Sequence, residues 1–332
     1  MKILDMHCDT VSELLGKKRA GEEVAMRVNQ GHLDLLRMKE SGYLLQNFAL
    51  FVNGGRARDP WEEVCALHAF YREELEQNKD ILAPVLQYKD IAANEAQGKM
   101  SAMLTVEEGA VCKGEVEKVR KLYDMGVRMM TLTWNYPNEI GFPNLNATRE
   151  DEKDFLYVPD TVNGLTERGR EIVGVMEEVG MIVDVSHLSD AGFYDVLECT
   201  TKPFVASHSN ARSVCRCVRN LTDDMLRKLG ERGGCTGLNF CPSFLAEVPE
   251  GMANPGTVAA LVEHAKHIAS VGGMELLGLG SDFDGIDGHA ELVGVQSMEL
   301  LWEALHKAGF TQSQLDKIFY ENVLRVYRDT LR

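Results

Sequence analysis

No stretch of the 332-residue chain approaches the ~18 consecutive apolar residues that a membrane-crossing helix needs. A signal peptide is missing too: Lys2 is followed only by Ile3 and Leu4 before Asp5, so no apolar h-region forms. The expectation is a cytoplasmic protein whose mature chain begins near Met1, with no membrane partner. Positive charge is scarce, since 35 Lys and Arg against 51 Asp and Glu leave a net charge of -16. That balance argues against nucleic acid or an anionic membrane surface as partner, and makes any anionic substrate depend on a local cationic group. No Cys-x-x-Cys pair occurs; Cys215-x-Cys217 is the nearest approach and is not a zinc-ribbon spacing. The eight cysteines are scattered through a large chain without an export signal, so reduced thiols are expected. Linkers and internal repeats are absent as well, and no Gly-rich phosphate loop follows the first apolar run.

What remains is a chain with 45% hydrophobic residues, enough to bury a large core. Short apolar runs predict strands over 3–7, 44–52, 101–106, 127–133, 181–185, 204–206, 234–239 and 276–280. Helical spacing predicts helices over 33–40, 60–78, 114–125, 166–179, 189–199, 222–230, 258–271, 300–308 and 312–328. Pro60 suits a first helical turn and Thr166 an N-cap. The stretch 134–163, rich in Asn, Pro and charge, predicts a long loop. Strands alternating with helices give an α/β fold with a parallel sheet, and eight of them close into a (β/α)8 TIM barrel over a single domain, 1–332. An open doubly wound sheet is the alternative, but the Gly-rich loop that favours it is missing.

A barrel gathers at one mouth whatever follows its strands. The first nine residues end in His7-Cys8-Asp9, and on an extended chain His7 and Asp9 project together while Cys8 faces away. An imidazole beside a carboxylate is what a divalent metal needs, although a lone His-x-Asp is more often a plain surface pair. Further polar groups follow other strands: Glu107-Glu108-Gly109, Asp184-Val185-Ser186-His187, Ser207-His208-Ser209 and Ser281-Asp282-Phe283-Asp284-Gly285. Five such positions converging favour a metal site over unrelated loop residues. His68, His264, His267 and His306 lie in helical patterns and read as surface or packing residues; His32 and His289 carry no supporting motif. One kind of metal-dependent barrel bridges two metals with a carbamylated lysine, but no lysine ends the third or fourth strand here. Glu107 can take that place, having two oxygens to share.

With these motifs together, the chain resembles the membrane (renal-type) dipeptidase family, the M19 metallopeptidases of the amidohydrolase superfamily. The likeness runs from Asp5-Met6-His7-Cys8-Asp9-Thr10 through Asp282-Phe283-Asp284-Gly285 to the final helix. It implies a metal-dependent hydrolase with two Zn2+ per subunit: His7 and Asp9 on one zinc, His187 and His208 on the other, Glu107 between them. Glu107 is chosen over Glu108 by the family's Val-Glu-Gly-Gly, and Asp282 over Asp284 because it comes first after the strand. Asp282 is then the proton shuttle for a metal-bridging hydroxide that attacks the peptide bond of a dipeptide. Ser186, Ser207 or Asp184 are candidates to orient the histidines. Arg219 matches the family's arginine for the substrate carboxylate or the developing oxyanion, a task suited to a planar guanidinium. The resemblance also implies a homodimer.

The chain departs from the family at Trp134, where Thr-Leu-Thr-His often stands and the histidine contacts substrate. An indole accepts no hydrogen bond, so Trp134, Asn135 or Tyr136 line the substrate pocket instead. Asn239-Phe240-Cys241 is a second departure, some members having Tyr in place of Cys241. Another amide substrate (an N-acyl amino acid or a lactam) and a non-catalytic metal-binding barrel are the alternative readings.

Overall fold

Side chains such as Val106, Ile182, Val183 and Val205 are buried on a pleated sheet covered on both faces, which is why the apolar runs become parallel strands. In the computed structural model, which describes residues 1–152, 154–248, 252 and 254–331, nine strands form: β1 (Ile3–Asp5), β2 (Tyr43–Phe51), β3 (Leu82–Pro84), β4 (Met100–Glu107), β5 (Val127–Thr131), β6 (Ile182–Asp184), β7 (Val205–Ala206), β8 (Cys235–Leu238) and β9 (Leu277–Leu279). Parallel pairing runs from β1 to β2, from β2 to β4, and onward to β9, which returns to β1. Eight strands therefore close into the (β/α)8 TIM barrel that the sequence predicts, with helices around it.

The ninth, β3, stands outside the ring. It pairs with Met100–Ala102 of β4, along an edge that β5 reaches only at Leu104. Pro84 is tolerated because an edge strand has a side with no ladder partner to lose. The sequence predicts nothing regular between 79 and 100, yet β3 and the helix Tyr88–Ala96, started by a capping box of Gln87 and Asp90, lie there. A further unpredicted helix, Thr10–Arg19, buries Val11, Leu14 and Leu15 at helical spacing. The helix expected over 312–328 is interrupted: Gln312–Asp316 and Asn322–Thr330 flank a π-helical turn, Lys317–Glu321.

Period-two alternation separates two cores. Leu4, Met6, Leu45, Met103, Met129, Ile182 and Val205 cluster with Val323, Val326 and Tyr327 of the final helix. Their strand neighbours, such as Leu104, Val106 and Val183, pack against the surrounding helices instead. Tyr327 is fully buried and exchanges hydrogen bonds with Asn47 on β2. The final helix thus fills one end of the barrel. Glu107, two pairs of residues beyond Met103 on the same face of β4, is carried to the other end.

The predicted loop over 134–163, of which residue 153 lies outside the described residues, holds one 3-10 turn, Ala147–Arg149. Asn144 ties it down: its backbone N–H donates to the His187 carbonyl (2.8 Å), and its amide donates to Asp190 Oδ1 (2.6 Å) and the Val218 carbonyl (3.0 Å).

Candidate metal centre

Just past β1 the alternation expected from the sequence is present. His7 Nε2 lies 3.3 Å from Asp9 Oδ2, while the Cys8 thiol turns away to the Asn47 carbonyl. His7 also lies 3.2 Å from Glu107 Oε2 and 3.8 Å from Asp282 Oδ1, so three carboxylates surround one buried imidazole. Burial pulls the His7 pKa down, but Glu107 and Asp9 outweigh it and hold the ring well above its ordinary value. A site that raises a buried histidine in this way has an excess of negative charge.

Glu107 divides its two oxygens. Oε2 faces His7; Oε1 faces His187 Nε2 at 3.0 Å and His208 Nε2 at 3.6 Å. Its carboxyl is pushed up to about 7, chiefly by burial, with His7 opposing. The neighbouring Glu108 points elsewhere. Its backbone takes φ +96°, and its oxygens accept from Ala110 N–H, Trp134 N–H and the Asn138 amide.

The two remaining histidines supply the clearest test of whether a cation fits. His187 Nδ1 lies 2.9 Å from Asn135 Oδ1, so that nitrogen carries the proton. His208 Nδ1 lies 2.8 Å from Ser207 Oγ, whose own hydrogen goes to Asp184 Oδ2, so Nδ1 donates there as well. Burial lowers both rings well below the ordinary histidine value, aided by Arg219 and by His7, and leaves them neutral. Each Nε2 is then a bare lone pair, and the two face each other at 3.0 Å. No hydrogen is available between them. Lone pairs converging on a carboxylate oxygen in a buried site are satisfied by a cation, and mixed N and O donors suit a borderline divalent metal. Asp9 Oδ1, buried with no hydrogen-bond partner among the described residues, offers a further lone pair on the His7 side. His7, Glu107 and His208 form one donor cluster and His7, Asp9 and Asp282 a second. The residues present fit a bound divalent metal.

Asp282 takes φ +65° and enters the site beside His7. The amide of Asn239, at the end of β8, donates to Asp282 Oδ2 (2.9 Å) and to the His208 carbonyl (3.1 Å). Asp284 also lines the cavity described below but is engaged elsewhere: its oxygens accept from His32 N–H and Thr10 Oγ1, both at 2.6 Å. Against the Asp9 and Asp282 carboxylates the chain must pass at Gly285, where a Cβ would lie 2.1 Å from Asp9 Oδ2 and 2.7 Å from Asp282 Oδ1. Only glycine fits. Arg219 is buried behind His208, with long contacts from Nη1 to Ser209 Oγ (3.3 Å) and from Nη2 to the His208 carbonyl (3.4 Å); among the described residues Nε has no partner.

Above these groups opens a cavity of about 480 Å³ lined by Asp9, Glu107, His187 and Asp282, with Trp134, Asn135, Phe51, Cys241 and Phe244 among its walls. Trp134 meets Phe51 edge-on at 5.0 Å and Tyr136 at 5.9 Å. Asn135 therefore both lines the cavity and holds His187. Asn239 and the His32–Asp284 pair have no role in the sequence reading; for Asn239 the available signal is a polar residue closing a predicted strand. His264 is buried and His267 bonds Asp223, both outside the centre.

A family model for membrane dipeptidases, peptidase family M19, matches residues 1–331. An uncharacterized dipeptidase of Schizosaccharomyces pombe is 30% identical over 312 residues, covering 90% of this chain and 72% of that protein. The crystal structure of the dipeptidase AC, a metallopeptidase of family M19, matches with a TM-score of 0.90 at 26% identity, covering 100% of this chain and 99% of that one. A metallopeptidase from Rhodobacter sphaeroides, liganded with a phosphinate mimic of the dipeptide L-Ala-D-Ala, matches with a TM-score of 0.89 at 26% identity over 99% of each chain. The chain belongs to the membrane dipeptidase family, peptidase family M19, and is a metallo-dipeptidase.

Proposed function

We propose that this metallo-dipeptidase works with two zinc ions, one held by His7 and Asp9 and the other by His187 and His208, with Glu107 shared between them. The observation that carries the reading is the pair of proton-free Nε2 atoms of His187 and His208, facing one oxygen of Glu107 while the other oxygen faces His7. Zinc bound there supplies polarisation of the peptide carbonyl and acidification of a water at neutral pH.

The chain's own residues do the rest. Asn239 occupies Asp282 Oδ2, which leaves Oδ1 toward the cavity to take a proton from the attacking water and return it to the departing amine. Arg219, under-bonded and buried, receives the substrate carboxylate or the developing oxyanion. Trp134 and Asn135 form one wall of the substrate cavity, and Trp134 with Phe51 offers an aromatic face to a substrate side chain. We read residues 1–332 as one domain and place it in the cytoplasm. All eight cysteines are unpaired, which suits a reducing compartment, and no helix among the described residues is long and apolar enough to cross a membrane.

A panel of free dipeptides against their N-acylated forms tests the substrate reading. Turnover is expected for the free dipeptides, with inhibition by a phosphinate dipeptide mimic. Faster cleavage of N-acyl amino acids or lactams than of any dipeptide would refute it.

A further inference from the structure

Behind each half of the centre stands a buried aspartate hydrogen-bonded to a buried serine just past the adjacent strand. At the end of β1, Asp5 Oδ1 accepts from the backbone N–H of His7 (3.2 Å) and of Ser281 (2.9 Å), and Oδ2 from Ser281 Oγ (2.5 Å). At the end of β6, Asp184 Oδ1 accepts from the backbone N–H of Ser186 (3.0 Å) and of Ser207 (2.8 Å). Its Oδ2 accepts from Ser207 Oγ (2.5 Å) and Thr131 Oγ1 (2.6 Å). The registers agree as well. Asp5 lies opposite Leu279 and Asp184 opposite Val205, and in both cases the serine stands two residues further on. The residue after each serine, Asp282 or His208, belongs to the centre.

A carboxylate with no exposure is costly to hold unless donors surround it, and here they do. What such a fixed contact secures is visible in the backbone. Asp282 at φ +65° and His187 at φ +73° both occupy the left-handed region, where a non-glycine residue stays only if its surroundings hold it. No hydrogen bond among the described residues joins one aspartate–serine pair to the other.

We propose that these are two independent staples: Asp5–Ser281 positions the His7, Asp9 and Asp282 half, and Asp184–Ser207 positions the His187 and His208 half. The second also reaches a ring directly, because Ser207 Oγ accepts from His208 Nδ1. The proposal rests on the two-zinc reading above, and its consequence is that each zinc can be lost without the other.

The test uses the zinc-loaded full chain, dialysed against a chelator concentration at which the wild type retains two zinc ions, with elemental analysis as the readout. Ser207→Ala is expected to keep one zinc, which an added His7→Ala removes and an added His208→Ala leaves in place. Ser281→Ala is expected to show the reverse. Thr131→Val, close to isosteric, removes a donor to Asp184 and carries the same test if Ser207→Ala does not fold. Variants that keep both ions, or shed both together with a native circular dichroism spectrum, overturn the staples. A wild type that never holds more than one zinc overturns the two-zinc reading itself, before any variant is made.

Discussion

At Asp282 one oxygen is committed to Asn239 and the other faces His7 across 3.8 Å, so the carboxylate is aimed before substrate arrives. Asp282→Asn keeps the shape and removes the proton acceptor; kcat is expected to fall by about 10²–10⁴-fold with the zinc content unchanged. Full activity in that variant would remove Asp282 from the chemistry. Gly285 makes a complementary prediction. Alanine there drives a Cβ into the Asp9 and Asp282 oxygens, and is expected to cost both turnover and zinc while the circular dichroism spectrum stays native. Trp134→Ala is expected to raise KM for dipeptides with aromatic side chains more than it lowers kcat, since a wall that only binds acts on ground and transition states alike. Steady-state kinetics on Ala-Phe and Ala-Ala separates the two.

Elements differ in how plainly the sequence announces them. His264, on the helix Val258–Gly272, joins that helix to the loops around it: Nδ1 accepts from Ala211 N–H and Nε2 meets the Leu245 carbonyl. Burial pushes its pKa down to about 4, with the Leu245 bond opposing. A depressed histidine is neutral in the fold, so its contribution is complete above its unfolded pKa of about 6.5 and is lost progressively as pH falls toward 4, by at most ~1.4 kcal/mol per pH unit. Urea unfolding at pH 7 and pH 5 is expected to show this loss in the wild type and a smaller one in His264→Gln; equal slopes would contradict it. The strands β2 and β4 are legible as long apolar runs, and the strand-end motifs as polar residues directly behind them. The helix Tyr88–Ala96 is not, because it buries little besides Ile91 and Asn94 and so has a weak apolar stripe. β3 is hidden by its Pro84. The π-turn at Lys317–Glu321 depends on tertiary packing that periodicity does not record.

Across the whole molecule, side chains behind five strand ends must meet for the centre to exist, His7 and Asp282 lying 275 residues apart in the chain, and barrel closure brings them together. His7, Glu107, His187, His208 and Asp282 were each legible as a polar residue behind an apolar run. Asn239's hold on Asp282 and the bonds of Asp284 to Thr10 and His32 depend on which way side chains point at the rim, which spacing does not specify. Because a cation binds the folded barrel and not the dispersed ligands of an unfolded chain, zinc should stabilise it by about 2.7 kcal/mol at a hundred times its dissociation constant. Chelation is therefore expected to lower the melting temperature, and an unchanged melting temperature would mean the folded chain holds no tight metal.

Elemental analysis of the zinc-loaded protein, alongside Glu107→Ala, bears most directly on the shared carboxylate between two cation sites. Two zinc ions per chain are expected in the wild type, and weakened retention of both in the variant, since one side chain serves both sides. A single ion in the wild type, or a variant that keeps both as tightly as before, would contradict it.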